Sequence, residues 1–175
     1  MIVMKRLLFL VITVMIFVDC YSQKVTGTFT IPESEKFISL EWDWSEAVID
    51  KKLSENDWAA INGEEYWEKA KMEALKLIAR EMNEKMTNSR VAILSPESDR
   101  TTAYKLFIRP VWYNKKGNNE SFYILKETST GNSVGRCKLY GAGGSIGSVA
   151  NLLGDGYEEA ARKMGSILKK YNKIK

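Results

Sequence analysis

The chain has no histidine, two cysteines and three prolines among its 175 residues. Without imidazole it cannot build a Ser-His-Asp or Cys-His nucleophile system, a His-ligated zinc site or an imidazole pH switch. The few prolines form no linker, and no low-complexity stretch or internal repeat divides the chain. Long apolar runs are also scarce. The longest, Leu7 to Val18, is broken only by Thr13 and is too short to cross a bilayer as a mature helix.

That run follows Lys5 and Arg6, and together they read as an export signal over residues 1–22. Small residues at Cys20-Tyr21-Ser22 allow cleavage before Gln23. Lipoprotein processing would instead use Cys20, although Phe17-Val18-Asp19 is a poor lipobox because the residue before the cysteine is normally small and uncharged. An uncleaved anchor is the third route. The expected address is the periplasm or the exterior, with an outer-membrane lipoprotein as the alternative, and membrane contact only through Cys20. If residues 1–22 are removed, Cys137 is the sole thiol and no intramolecular disulfide can form.

The remaining residues, 23–175, read as one domain. The 45% apolar and 27% charged content of the whole chain is that of a globular protein. Loss of Lys5, Arg6 and Asp19 leaves 24 basic against 21 acidic residues, interspersed along the chain. Nucleic-acid binding would need basic residues clustered on one face, so no nucleic-acid partner is expected.

Apolar alternation predicts strands over Val25–Ile31, Lys36–Trp44, Arg90–Ser95, Thr102–Tyr113, Ser121–Thr128 and Ser133–Tyr140. Pro110 interrupts the fourth and signals an edge or a bulge. Ser54-Glu55-Asn56-Asp57 starts a helical turn. Asn62-Gly63-Glu64-Glu65 fits a capping box before a helix that runs to about Met86. The closing helix carries Tyr157, Ala160, Ala161, Met164, Ile167, Leu168 and Tyr171 on one face, with Asp155 expected as its cap. The order β-β-α-β-β-β-β-α predicts an α+β two-layer sandwich, a mostly antiparallel sheet with two main helices on one face.

Candidate chemistry is sparse. Gly141-Ala142-Gly143-Gly144-Ser145-Ile146-Gly147 leaves a strand for a helix but has neither dinucleotide nor Walker spacing, so close backbone approach explains its glycines better. No cofactor is expected. Metal binding is poorly served, and Asn151 to Gly156 lacks the alternating oxygens of a calcium loop. Cys137 alternates with Leu139 on the apolar side of its strand and reads as a core thiol. Glu41, Asp43 and Glu46 lie beside Trp42 and Trp44, the composition of a sugar site, and a carboxylate-dependent glycan hydrolase is the alternative function. The simpler arrangement puts the tryptophans in the core and the acids on the outer strand face. Trp112 and Tyr113 stand at a hairpin mouth with Lys115 and Lys116. Tyr113 is expected to be the more exposed of the two aromatics, and Tyr113, Lys115 and Lys116 are the candidate partner-binding residues.

The C-terminal part, a long strand, a hairpin, a strand ending in Gly141-Ala142-Gly143-Gly144 and then Asp155-Gly156-Tyr157-Glu158-Glu159-Ala160-Ala161 opening a helix, resembles small exported envelope proteins of Gram-negative bacteria. Some of these resemble the N-terminal domain of the periplasmic protein TolB or auxiliary lipoproteins of envelope transporters. The resemblance covers residues 90–172 and implies an α+β module that acts by binding, with no functional residues carried over. The expected role is therefore a non-catalytic envelope domain that binds another envelope component, protein or glycan. A purely structural subunit of an envelope assembly is a further alternative.

Overall fold

The computed structural model describes residues 24–174. The expected signal segment, and with it the processing at Cys20, lies outside these residues. Chain order is β1 (Thr26–Gly27), β2 (Phe37–Trp42), β3 (Val48–Ile49), α1 (Glu55–Asn62), α2 (Glu64–Lys85), β4 (Ala92–Ile93), β5 (Tyr104–Tyr113), β6 (Asn119–Glu127), β7 (Ser133–Gly141) and α3 (Val149–Tyr171). The architecture is the expected α+β arrangement of helices on a sheet, with a short strand β3 added. The turn at Ser54 extends into a two-turn helix, opened by a capping box in which Ser54 and Asp57 bond each other's backbone N–H.

The seven strands form one mixed sheet in the order β1-β7-β6-β5-β2-β4, with β3 also on β5. The long pairings β5–β6 and β6–β7, and β1–β7, are antiparallel, whereas β2 runs parallel to β4 and β5, and β3 parallel to β5. In-register rows identify the covered face. Cys137 pairs with Tyr123, Tyr123 with Ile108 and Ile108 with Trp42. All but Trp42 are buried to within 1%. Trp42 stacks edge-on against Tyr157 of α3, with ring centroids 4.9 Å apart, while Cys137 touches Met164 two turns further along the same helix face. Trp44 meets Trp67 of α2 at 5.2 Å. Both long helices therefore lie on the same side.

The long helices run parallel to each other, because each returns from strands that themselves point one way. Leu77 faces Gly154, and Met82 faces Gly165 so closely that a Cβ there would meet the Met82 carbonyl at 2.7 Å. Glu81 sits in this seam with its side chain 3% exposed, bonded by Arg80 at 2.9 Å and by Arg162 of α3 at 2.7 Å. Burial alone would raise its pKa, but the two guanidinium groups outweigh this and hold the carboxyl below the usual range.

Two expected caps are displaced. Gly63, with φ +93°, precedes α2 and offers no side-chain cap. At α3 the cap is Ser148, whose Oγ accepts from Asn151 N–H, not Asp155, which lies inside the helix. Gly154 and Gly156 look like helix breakers, yet both are helical, and at Gly156 a side chain would not fit. A Cβ on Gly156 would stand 1.9 Å from the Gly117 carbonyl oxygen.

Candidate functional site

Strict alternation along β5 would put Trp112 beside Ile108 in the core and Tyr113 outside. The register shifts between Pro110 and Trp112, adding one residue to the strand. Pro110 falls in the gap where β5 changes partner from β2, which ends at Ile108, to β3, which begins at Trp112. The shift turns Tyr113 inward, to 1% exposure among Trp44, Trp58 and Trp67. Trp112 moves to the opposite face. The expectation that Tyr113 is the exposed partner of the pair is thus reversed, and the physical reason is the bulge.

Among the described residues no helix covers that opposite face. Its rows mix rings and charges. Arg136 pairs with Ile124, which pairs with Phe107, which pairs with Glu41; Lys138 pairs with Phe122 and Phe122 with Arg109; Tyr140 pairs with Glu120 and Glu120 with Trp112. The Arg136 guanidinium lies 3.6 Å from the Phe122 ring centre and the Lys126 ammonium 4.5 Å from that of Phe107. Such contacts hold long cationic side chains flat on the face. Lys105 pairs with Glu41 at 2.9 Å, Arg109 with Asp43 at 2.6 Å and Lys138 with Glu120 at 2.6 Å.

The acidic residues therefore occupy the outer face while Trp44 is buried, as the simpler sequence arrangement requires. Partial burial of Asp43 would raise its pKa, but hydrogen bonds from Ser45 and Arg109 prevail and lower it. Glu46 reaches the same Arg109 at 3.8 Å. A general acid needs the reverse shift.

Where Trp112 emerges, the face opens into a pocket of about 600 Å³ lined by Asp50, Lys51, Trp112, Asn114, Lys115 and Lys116, with Tyr113 behind it. Two of the three candidate residues, Lys115 and Lys116, are exposed on its rim. Lys51 joins them from the turn after β3, and nothing local in the sequence signals it; the parallel pairing of β3 with β5 brings it there. Asp50 and Lys51 both have positive φ, +45° and +74°, in a region that non-glycine residues avoid. The Asp50 carboxylate accepts from Lys115 N–H at 3.0 Å, so this turn and the hairpin are bonded together. Trp112 donates to Glu120 at 3.2 Å and lies 6.0 Å from the Tyr140 ring.

The hairpin is clamped from below by glycines. Added Cβ atoms would meet backbone oxygens at 2.0 Å from Gly117 to Leu152, 1.8 Å from Gly143 to Lys116 and 1.7 Å from Gly141 to Gly156. The fully buried Asn119 amide donates to both Gly117 and Gly156 carbonyls, and Ser121 links Asn119 to the Tyr157 hydroxyl. The glycine run after β7 is thus a close-packed joint.

Cys137 is buried as expected, and burial pushes its thiol up to about 12. Among the described residues no cluster of three or more metal-ligating His, Cys, Asp or Glu side chains occurs, and no helix is long and apolar enough to cross a membrane. The cation-on-ring pairs were not singled out from sequence. Alternation of Arg136, Lys138 and Tyr140 along β7 was the available signal, but the facing phenylalanines come from other strands.

The geometry defines an α+β domain with one helix-covered and one open sheet face. No family model and no curated relative matches the chain. Among solved structures, PelC from Paraburkholderia phytofirmans, determined as a dodecamer, is 11% identical over 88% of this chain and 99% of its own, with a TM-score of 0.43. A "putative lipoprotein" from Caulobacter crescentus CB15 is 15% identical over 56% of this chain and 82% of its own, with a TM-score of 0.34. Both likenesses are weak, and nothing about ligand or assembly is carried over from either.

Proposed function

We propose that the chain is an exported, non-catalytic envelope domain that binds an acidic glycan at the pocket beside Trp112. One observation carries this reading: an aromatic wall and three lysines, Lys51, Lys115 and Lys116, converge on one opening from two separate loops. A flat indole suits the apolar face of a sugar ring. Ammonium groups around it suit carboxylates or phosphates, and a volume near 600 Å³ is that of a small-ligand site. The lowered pKa of Asp43 favours binding over hydrolysis, because that carboxyl is held as an anion by Arg109.

The test is affinity electrophoresis or column retention of the protein recovered from the envelope, on immobilised alginate against neutral dextran. Retention on alginate alone is expected. It should weaken roughly tenfold or more in Trp112→Ala and in Lys115→Gln/Lys116→Gln, since one charge-assisted hydrogen bond is worth about 1.5–3 kcal/mol. Tyr113→Phe should change nothing, its hydroxyl being buried. Equal retention on both matrices, or unchanged retention of the Trp112 and lysine variants, overturns the assignment and leaves a protein partner as the better reading.

A further inference from the structure

A second basic site lies at the far end of α3. A groove of about 690 Å³ runs between the segment before β1 and the C-terminal half of that helix, lined by Lys24, Lys163, Ser166, Ile167, Lys170 and Tyr171. Its helical members, spaced three and four apart over about two turns, fall on one face. Lys163 is paired with Glu159 at 2.6 Å, while Lys24 and Lys170 have no carboxylate within 4 Å among the described residues. The helix dipole favours lysines in the last turn, which accounts for Lys169 and Lys170. It does not account for Lys163, two turns earlier, or for Lys24, which comes from another part of the chain.

Lys24 leads directly into β1, where Thr26 and Gly27 pair with β7 and the preceding half-buried Val25 packs on the core. The buried Asn172 side chain, just past α3, bonds Ile31 N–H and the Phe29 carbonyl, and Phe29 packs edge-on against Tyr171 at 6.1 Å. The N-terminal entry into the fold is thereby fixed beside the lysines. In the sequence, Cys20 precedes Lys24 by four residues and the apolar run Leu7–Val18 lies just before it. Four extended residues span at most about 14 Å. A tether at Cys20, or through the run itself, would therefore hold the groove within one or two Debye lengths, each about 8 Å, of the lipid surface.

We infer that the Lys24–Lys163–Lys170 groove docks on the anionic headgroups of a membrane and orients the tethered domain. The occupant follows from charge complementarity and from where the chain enters the fold. The inference rests on a tethered form of the exported chain, at Cys20 or through the apolar run, but not on the glycan reading. From Leu152, against which the hairpin packs, to Lys170 is about 27 Å along the helix at 1.5 Å per residue. The Trp112 pocket lies near the other end of that helix and on the sheet face turned away from it.

The full chain would be sedimented with vesicles of phosphatidylethanolamine and phosphatidylglycerol, and with all-phosphatidylcholine vesicles. The difference between the two isolates the electrostatic part, because a lipid or apolar tether contributes to both. A lysine near an anionic surface multiplies partitioning about fivefold, so the triple change K24Q/K163Q/K170Q should remove a difference on the order of 100-fold. The same charge change at exposed Lys52, Lys69 and Lys85 should leave the difference intact, and 0.5 M salt should abolish it. Equal binding to both vesicles, or a triple variant that behaves as the parent, overturns the inference. Competition by millimolar inorganic phosphate would identify a free-anion site and also overturn it. Alginate retention should be unchanged in the groove variant, so failure of one reading is separable from failure of the other.

Discussion

Substitution of Gly141 by alanine tests the joint beneath the hairpin. The added methyl carbon would stand 1.7 Å from the Gly156 carbonyl oxygen and 2.7 Å from the Asn119 amide nitrogen. Carbon–oxygen contacts between neighbouring strands and helices settle near 3.3–3.6 Å. Relief therefore needs a movement of more than about 1.5 Å, and the obstructing oxygen belongs to helix backbone. Overpacking of this sort costs about 1–3 kcal/mol. Displacing Gly156 also breaks a hydrogen bond of the buried Asn119 amide at 2.9 Å, and an orphaned buried donor costs about 1–3 kcal/mol more. The expected loss is about 2–6 kcal/mol, a large fraction of the 5–15 kcal/mol typical of a folded domain. Two glycines serve as references. Gly131 has φ +70° with nothing within 4 Å, so its alanine variant should lose only the left-handed penalty of about 1–2 kcal/mol. Gly154 is helical and faces only the end of the Leu77 side chain at 3.1 Å, so gain in helix propensity should nearly offset the contact. Urea unfolding at neutral pH reads all three. A Gly141→Ala variant no less stable than Gly131→Ala would refute the close-packed joint.

Further outcomes follow from buried titratable groups. The folded-state pKa of Glu81 is depressed, so the unfolded chain binds more protons and the carboxylate contributes stability above its unfolded pKa, near 4.3. That contribution should disappear as pH falls through the folded pKa, and unfolding curves of Glu81→Gln should show a flatter acid limb than the parent. Identical slopes would argue against the Arg80–Glu81–Arg162 link. Cys137, with its thiol pushed up to about 12 by burial, should resist iodoacetamide at pH 8 in the native protein and react once urea unfolds it. Modification in native buffer, followed by intact mass, would count against the buried assignment.

Elements with their own period were legible before any coordinates. The Trp67–Ala70–Ala74–Ile78 stripe and the Tyr157–Ala160–Ala161–Met164 stripe mark helices whose buried faces are those residues. The hairpin of β5 and β6 was likewise visible. Less was legible where a local signal had a non-local cause. Asp155 with Glu158 looks like a helix start, but Ser148 wins because Gly156 is required inside the helix by the hairpin backbone. The parallel pairing of β2 and β3 with β5 leaves no mark in either strand's alternation, so Lys51 could not be placed beside Lys115 and Lys116. Pro110 did announce a bulge. Its consequence for Trp112 and Tyr113 depends on where the extra residue falls, and only the partner strands decide that.

The bulge makes the pleat of β5 a matter of phase. Upstream of Pro110 the even-numbered residues Leu106 and Ile108 point under the helices; downstream, the odd-numbered Tyr113 does. Deleting the unpaired Val111 would remove the bulge and leave both rings on their present faces, whereas a strand straightened with every residue kept would send Tyr113 to the pocket and Trp112 into a nest of tryptophans shaped for a smaller ring. One extra residue thus decides which ring serves the binding surface and which the core, and an insertion beside it, which would reverse the phase, should be far less tolerable than a change of residue type.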